Sequence, residues 1–274
     1  MDKQELEVLA QKARELRRMT VEMIGGLGVG HIGGSVSMID ALVVLYYKVM
    51  NIDPKDPQME GRDRFVLSKG HSGPGLYSVL ADKGYFEKSH LATLNRPGSI
   101  LPSHPDMNRI PGIDMSTGSL GQGFSCAVGF ALGSKLKKDG ATIYAMVGDG
   151  ESQEGQIWEA AMFAGHHKLD NIIALTDYNG MQVDGYLSDI VDVAPLADKW
   201  RAFNWNVIEV TEGNDIEQIY NAVMTAKGYK GKPSMIILHT IKGKDVSFAE
   251  AAKEKCHSMT ITPEMMRQAL EALV

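Results

Sequence analysis

The sequence predicts an α/β domain: a parallel β-sheet flanked by helices. Short apolar segments alternate with helical stretches, the order that builds parallel sheets. The later apolar segments are near-continuous runs, as strands covered on both faces require. One of them ends in Gly148-Asp149-Gly150 and is followed by a helical stretch and a further apolar run, which makes a βαβ unit.

The elements follow in order. Leu6, Leu9, Ala13, Leu16, Thr20 and Met23 recur at helical spacing, predicting an amphipathic helix over 5–24 that stops at Gly25-Gly26. A glycine-rich loop comes next, and Ser35 reads as the N-cap of an apolar helix through Tyr47. Strands are expected at Arg64–Leu67, Thr142–Val147, Asn171–Asp177, Asn206–Val210 and Ser234–His239. Helices are expected near 73–83, 121–137, 154–168, 215–228 and 262–273. Residues 88–115 are rich in proline and glycine, and a loop of that length inside a compact domain is usually functional. No repeat or linker interrupts the chain, so residues 1–274 read as one domain, with the last stretch (about 30 residues) as an appendage.

Composition narrows the function classes. The net charge of -6 argues against nucleic acid or a membrane surface as the main partner. No apolar run reaches the roughly 18 residues of a transmembrane helix, and the charged N-terminus lacks the apolar centre of a signal peptide. Cys126 and Cys256 read as two thiols in a reducing cytoplasm. Gly28, Gly30 and Gly33 match the dinucleotide fingerprint, and Asp53 sits 20 residues past Gly33. That fingerprint needs a preceding strand, however, and here a helix precedes it, which argues against nicotinamide or flavin binding.

The βαβ unit points elsewhere. Asn179 follows Asp149 by 30 residues, and both loops emerge at the carboxyl edge of adjacent strands, where open α/β sheets bind ligands. Magnesium takes an octahedron of oxygens, with one or two carboxylates and several phosphate oxygens among them. Asp149 offers a carboxylate, Asn179 an amide oxygen and Met181 a backbone carbonyl; phosphate oxygens and water complete the shell. Gly148 and Gly150 let backbone approach phosphate, and the helix starting near Glu154 points its amides at the anion. The plain alternative is a tight turn in which Asp149 caps a helix. The paired Gly-Asp-Gly and Asn, at this spacing and in this strand context, favours the diphosphate site.

The span from Gly148 to Asn179 resembles the thiamine diphosphate motif, and further segments resemble transketolase. Gly30-His31-Ile32-Gly33-Gly34-Ser35, Arg62 to His71, and Ser103-His104-Pro105-Asp106 resemble its three histidine loops. Thr117 to Gly123 resembles its cofactor-binding turn. The resemblance implies the thiamine-diphosphate-binding fold, with thiamine diphosphate and magnesium (or calcium or manganese) as cofactors. It implies that His31, His71 and His104 handle protons on sugar hydroxyls, with His71 also close to the diphosphate. It places Gly118 and Leu120 at the cofactor rings, Gly150 at the diphosphate, and Glu154 and Glu159 at the contact between cofactor sites. Ile241 to Phe248 resembles the loop that closes over the diphosphate, where Lys244 either pairs with phosphate or faces solvent. Tyr178 stands where many relatives have asparagine, and His257-Ser258 stands in place of a histidine-glycine pair, leaving the role of His257 open.

The resemblance also implies a missing half. In the family a pyrimidine-binding domain supplies the glutamate that activates the aminopyrimidine, and it normally follows in the same chain. A complementary subunit carrying that domain is therefore expected, in an assembly of two copies of each chain acting on sugar phosphates. Alternatives are a deoxyxylulose-phosphate synthase-like or 2-oxoacid dehydrogenase-like subunit, or a non-catalytic relic. Asp149 and Asn179 argue against the relic, which has no use for a metal site.

Overall fold

The computed structural model describes residues 1–273. The first half contains α1 (Lys3–Leu27), β1 (Val29–Gly30), α2 (Ile32–Ser37), α3 (Ile39–Val44), β2 (Arg64–Leu67), α4 (Gly73–Lys83) and α5 (Gln122–Lys137). Then come β3 (Ile143–Gly148), α6 (Gly155–His166), β4 (Ile172–Tyr178), β5 (Met181–Gln182), β6 (Gly185–Tyr186), α7 (Leu187–Ile190) and α8 (Leu196–Ala202). The chain continues through β7 (Asn206–Val210), α9 (Ile216–Gly228), β8 (Ser234–His239), α10 (Ser247–Ala252), β9 (Met259–Thr260) and α11 (Pro263–Ala272).

Five parallel strands form the central sheet in the order β2-β3-β4-β8-β7. Successive residues point to opposite faces, and both faces are dry. Tyr144, Met146, Ile173, Leu175, Ile236 and Leu238 join a core shared with α1, α3, α4 and α9. Ile143, Ala145, Val147, Ile172, Ala174, Met235 and Ile237 join a second core with α5, α6 and α8. The parallel register sets Gly148 beside Asp177, and Tyr178 beside His239, so the loops after β3, β4 and β8 leave from one edge.

Three expectations are corrected. The first helix does not stop at Gly25-Gly26; it runs to Leu27 and is capped by Gly28 at φ +88°. Gly25 is kept inside the helix by close packing, since a Cβ there would lie 2.5 Å from the Met266 sulfur of α11. Ser35 is not an N-cap: it sits within α2, its hydroxyl donating to the His31 carbonyl at 2.6 Å. The last residues are not an appendage. Val29 pairs with Thr260 across β1 and β9, and Ile261, Ala269 and Leu273 are buried in the first core. The long loop over 88–115 is itself anchored by buried Leu91, Leu94, Leu101, Ile110 and Ile113. Among the described residues no helix is long and apolar enough to cross a membrane.

Gly165 marks the closest packing of α6. A Cβ there would meet the Phe203 carbonyl oxygen at 1.9 Å, and backbone gives way poorly. Gly165→Ala is therefore expected to cost about 3 kcal/mol or to prevent folding. Urea unfolding measures it, and a loss below about 0.5 kcal/mol contradicts this packing.

Candidate active site

The site begins where β3 and β4 end. Asp149 is 3% exposed. Its Oδ1 accepts the Gly150 N–H at 2.7 Å, and its Oδ2 accepts those of Asn179 at 2.8 Å and Gly180 at 2.6 Å. One carboxylate thus ties the Gly-Asp-Gly turn to the loop after β4. Asn179 Oδ1 accepts the Met181 N–H at 3.2 Å, and the Met181 carbonyl accepts from Lys242 Nζ at 3.1 Å. Each of these oxygens has two lone pairs, so Asp149 Oδ1, Asn179 Oδ1 and the Met181 carbonyl keep acceptor capacity.

Behind this triplet lies a buried charge cluster. Asp177 accepts from Lys69 Nζ at 2.5 Å, from Ser37 at 2.6 Å and from Thr240. Burial works against its charge, but the Lys69 ammonium together with the Ser37 and Thr240 hydroxyls outweighs burial and holds the carboxyl below the usual range. Lys69 also donates to the Gly34 carbonyl at 2.9 Å. Glu151 is buried and accepts from Ser68 Oγ at 2.6 Å, Gly121 N at 2.8 Å and Gly148 N at 3.0 Å, joining three loops; burial raises its pKa. Asp149 has no such ammonium pair. Burial, and then repulsion from Asp177, push its pKa up to about 6.

These groups open onto a cavity of about 340 Å³. His31, His71, His104, Gly118, Leu120, Asp149, Gly150, Glu154, Asn179 and Met181 all line it. Lys244 does not; it pairs with Asp245 at 2.8 Å, and Lys242 occupies the cavity wall instead. Glu159 lies exposed on α6, outside the lining. His257 is brought in as a fourth histidine. Its ring centroid is 4.6 Å from that of His71 and 5.4 Å from that of His31, and His31 is 5.8 Å from His104. Gly70 permits this convergence, since a Cβ there would meet the Gly118 nitrogen at 2.7 Å.

The histidines are held neutral. Burial lowers His31 and His104, with His104 adding to the effect on His31. Burial and then Lys69 take His71 well below its usual value, and burial and then Lys242 take His257 to about 3. A neutral imidazole has one donor and one acceptor, which matches a hydroxyl group.

Sequence reasoning missed Lys69, Asp177, Lys242 and the joining role of Glu151. Lys69 sits in the Ser-Lys-Gly-His stretch and Asp177 precedes Tyr178-Asn179, so both fall within the motifs that mark the site. Among the described residues no three His, Cys, Asp or Glu side chains surround a point as a complete metal site. The donor set instead suits a hard divalent cation shared with phosphate oxygens: one buried carboxylate, one amide and one carbonyl. Such an ion would also supply the positive charge that Asp149 lacks.

Residues 8–273 match the family described as transketolase, thiamine diphosphate binding domain. Over the whole of this chain and 98% of the relative, it is 55% identical to the 6-deoxy-6-sulfo-D-fructose transketolase subunit SqwG of Clostridium sp. (strain MSTE9). It is 38% identical to an apulose-4-phosphate transketolase subunit of Phocaeicola vulgatus, over 97% of this chain and 94% of that one. Among solved structures, transketolase from Campylobacter jejuni aligns with a TM-score of 0.91 at 32% identity, covering 100% of this chain and 43% of that one. Transketolase from Leishmania mexicana aligns at 0.90 and 32%, covering 96% of this chain and 40% of that one. The chain therefore belongs to the transketolase family and carries its thiamine diphosphate binding domain.

The buried histidines carry a pH signature. His257 takes up a proton near 6.5 when unfolded but near 3 when folded, so acid favours unfolding throughout that window. His257→Gln should flatten the acid loss of stability below pH 6.5 by roughly 1.4 kcal/mol per pH unit. Urea unfolding at a series of pH values tests this, and parallel profiles for the two chains contradict it.

Proposed function

We propose that this chain holds thiamine diphosphate through a divalent cation, magnesium by preference, bound to Asp149, Asn179 and the Met181 carbonyl. With a second polypeptide it transfers a two-carbon ketol unit between phosphorylated or otherwise anionic sugars in the cytoplasm. The observation that carries the reading is convergence. The oxygen triplet, two buried ammonium groups and four neutral histidines meet in one cavity at the carboxyl edge of the sheet. Deoxyxylulose-phosphate synthase-like and 2-oxoacid dehydrogenase-like readings are not favoured, since the relatives covered nearly end to end carry transketolase names.

Thiamine diphosphate, when bound, supplies the electron sink for breaking a carbon–carbon bond beside a carbonyl. The chain's own residues orient and move protons. Lys242 is 6% exposed and stands at the cation end, where it would neutralise phosphate charge, the role that the resemblance offered to Lys244. Gly150, Glu151 and Gln153 of the turn that follows Asp149 line the same cavity. His31, His71, His104 and His257 would hand protons to and from sugar hydroxyls, their neutral rings serving as donor and acceptor. Gly118 and Leu120 also line the cavity, and by the resemblance they would contact the cofactor rings.

The partner is the complementary chain carrying the pyrimidine-binding domain. Glu151, Glu154 and Glu159 all follow β3 on the diphosphate side, so none stands where a pyrimidine-activating glutamate is needed. Exposed Glu154 and Glu159 on and before α6 would face a neighbouring site in an assembly of two copies of each chain. The two relatives are named for different anionic sugars, one a sulfonate and one a phosphate.

Two outcomes are expected. The purified chain shows no ketol transfer, and adding the complementary chain restores it; full activity from this chain alone, with contamination excluded by mass spectrometry, contradicts the reading. In the reconstituted enzyme, His71→Ala or His104→Ala lowers turnover roughly 10²–10⁴-fold, measured under saturating sugar, if the rings move protons. A loss below about threefold for both removes them from the chemistry.

A further inference from the structure

We infer that Arg17, Asp40 and Asn214 form a positioning network that fixes the backbone strap 241–246 and through it aims Lys242 at the diphosphate. The inference rests on the cofactor reading above and names residues outside the cavity. Arg17, in the middle of α1, is 2% exposed, and a buried guanidinium is tolerated only when paired. It pairs with Asp40 of α3, and its Nη1 lies 3.4 Å from Asp245. Asp40 Oδ2 also accepts from Asn214 Nδ2 at 2.9 Å, and the same amide donates to the Ser37 carbonyl at 2.8 Å. Asn214 Oδ1 in turn accepts the Ile241 N–H at 2.9 Å.

The strap is thus held at both ends from the far side. Asn214 takes its first residue and Arg17 contacts Asp245 near its last. Between them the Gly243 N–H donates to the Gly33 carbonyl at 3.1 Å, in the first turn of α2, directly after His31. Asp245 has φ +63°, a left-handed conformation that a non-glycine residue keeps only with outside support. Lys242 springs from the fixed segment and reaches the Met181 carbonyl. Lysine has a flexible stem with large rotamer entropy, so its aim depends on the backbone beneath it.

None of Arg17, Asp40 and Asn214 lines the cofactor cavity. They border a separate surface cleft of about 610 Å³. A buried ion pair is weak support for stability as such. What the three side chains have in common is contact with the strap or with a residue that grips it.

Asn214→Ala separates positioning from bulk stability. Amide hydrogen exchange over 241–246 in the isolated chain should quicken about tenfold or more, with the β3 and β4 amides unchanged. In the complex with the partner, thiamine diphosphate affinity by calorimetry should fall about tenfold, and in a Lys242→Ala background the same substitution should add little. Asn214→Ser gives the same comparison should the alanine variant not fold. Unchanged exchange in the strap overturns the network, and additive losses in the double variant overturn its action through Lys242. A wild-type complex that binds no thiamine diphosphate contradicts the proposed function instead, and the exchange comparison still decides the network.

Discussion

The rest of the site depends on an unbalanced set of buried charges at one edge of the sheet. Asp149, Glu151 and Asp177 face Lys69 and Lys242, all of them buried. Lys69 is committed to Asp177, and Glu151 is met by a hydroxyl and two N–H groups. Asp149 is left with backbone N–H donors and a repelling neighbour, and its proton is held until about 6. Isolated buried carboxylates are costly. The chain carries that cost at the point where a divalent cation with a diphosphate would relieve it. Binding of such a cation would therefore couple to fold stability here.

The fold positions this set by simple means. Parallel strands deliver their following loops to one edge, and the register puts Gly148 beside Asp177. The three histidine loops arrive from elsewhere: before α2, before α4, and from the long loop ahead of α5. Glu151 links the Ser68 hydroxyl to the Gly121 and Gly148 backbones, and Lys69 links Gly34 to Asp177, so each loop is tied to the strand edge by a buried charge. Preorganisation of this kind keeps proton-handling groups in place without the ligand's help.

Much of the fold was legible in the sequence because the central strands are buried on both sides and so read as unbroken apolar runs. The oxygen triplet proposed for a cation draws on a local pattern: Asp149 and Asn179 follow adjacent strands at a fixed spacing. What failed to show was tertiary. Gly25 stays helical because Met266 packs where a side chain would be, and the last residues belong to the core because Thr260 pairs with Val29. Neither contact leaves a local pattern. Lys242 and Lys244 flank Gly243, which at φ +82° turns the chain so that one faces the cavity and the other Asp245. Sequence spacing alone does not decide between them. Asp177 and Lys69 were inside recognised segments, but their burial follows from strand order, which composition does not reveal.

The most direct test of the account is the position of the cation. Crystals of the chain with its complementary subunit, thiamine diphosphate and manganese allow the ion to be located by its anomalous scattering. The account predicts one manganese peak per site within about 2–2.5 Å of an Asp149 oxygen, Asn179 Oδ1 and the Met181 carbonyl oxygen, bridging to the diphosphate. Diphosphate density at this edge without a metal peak there, or a metal held by other residues, would contradict it.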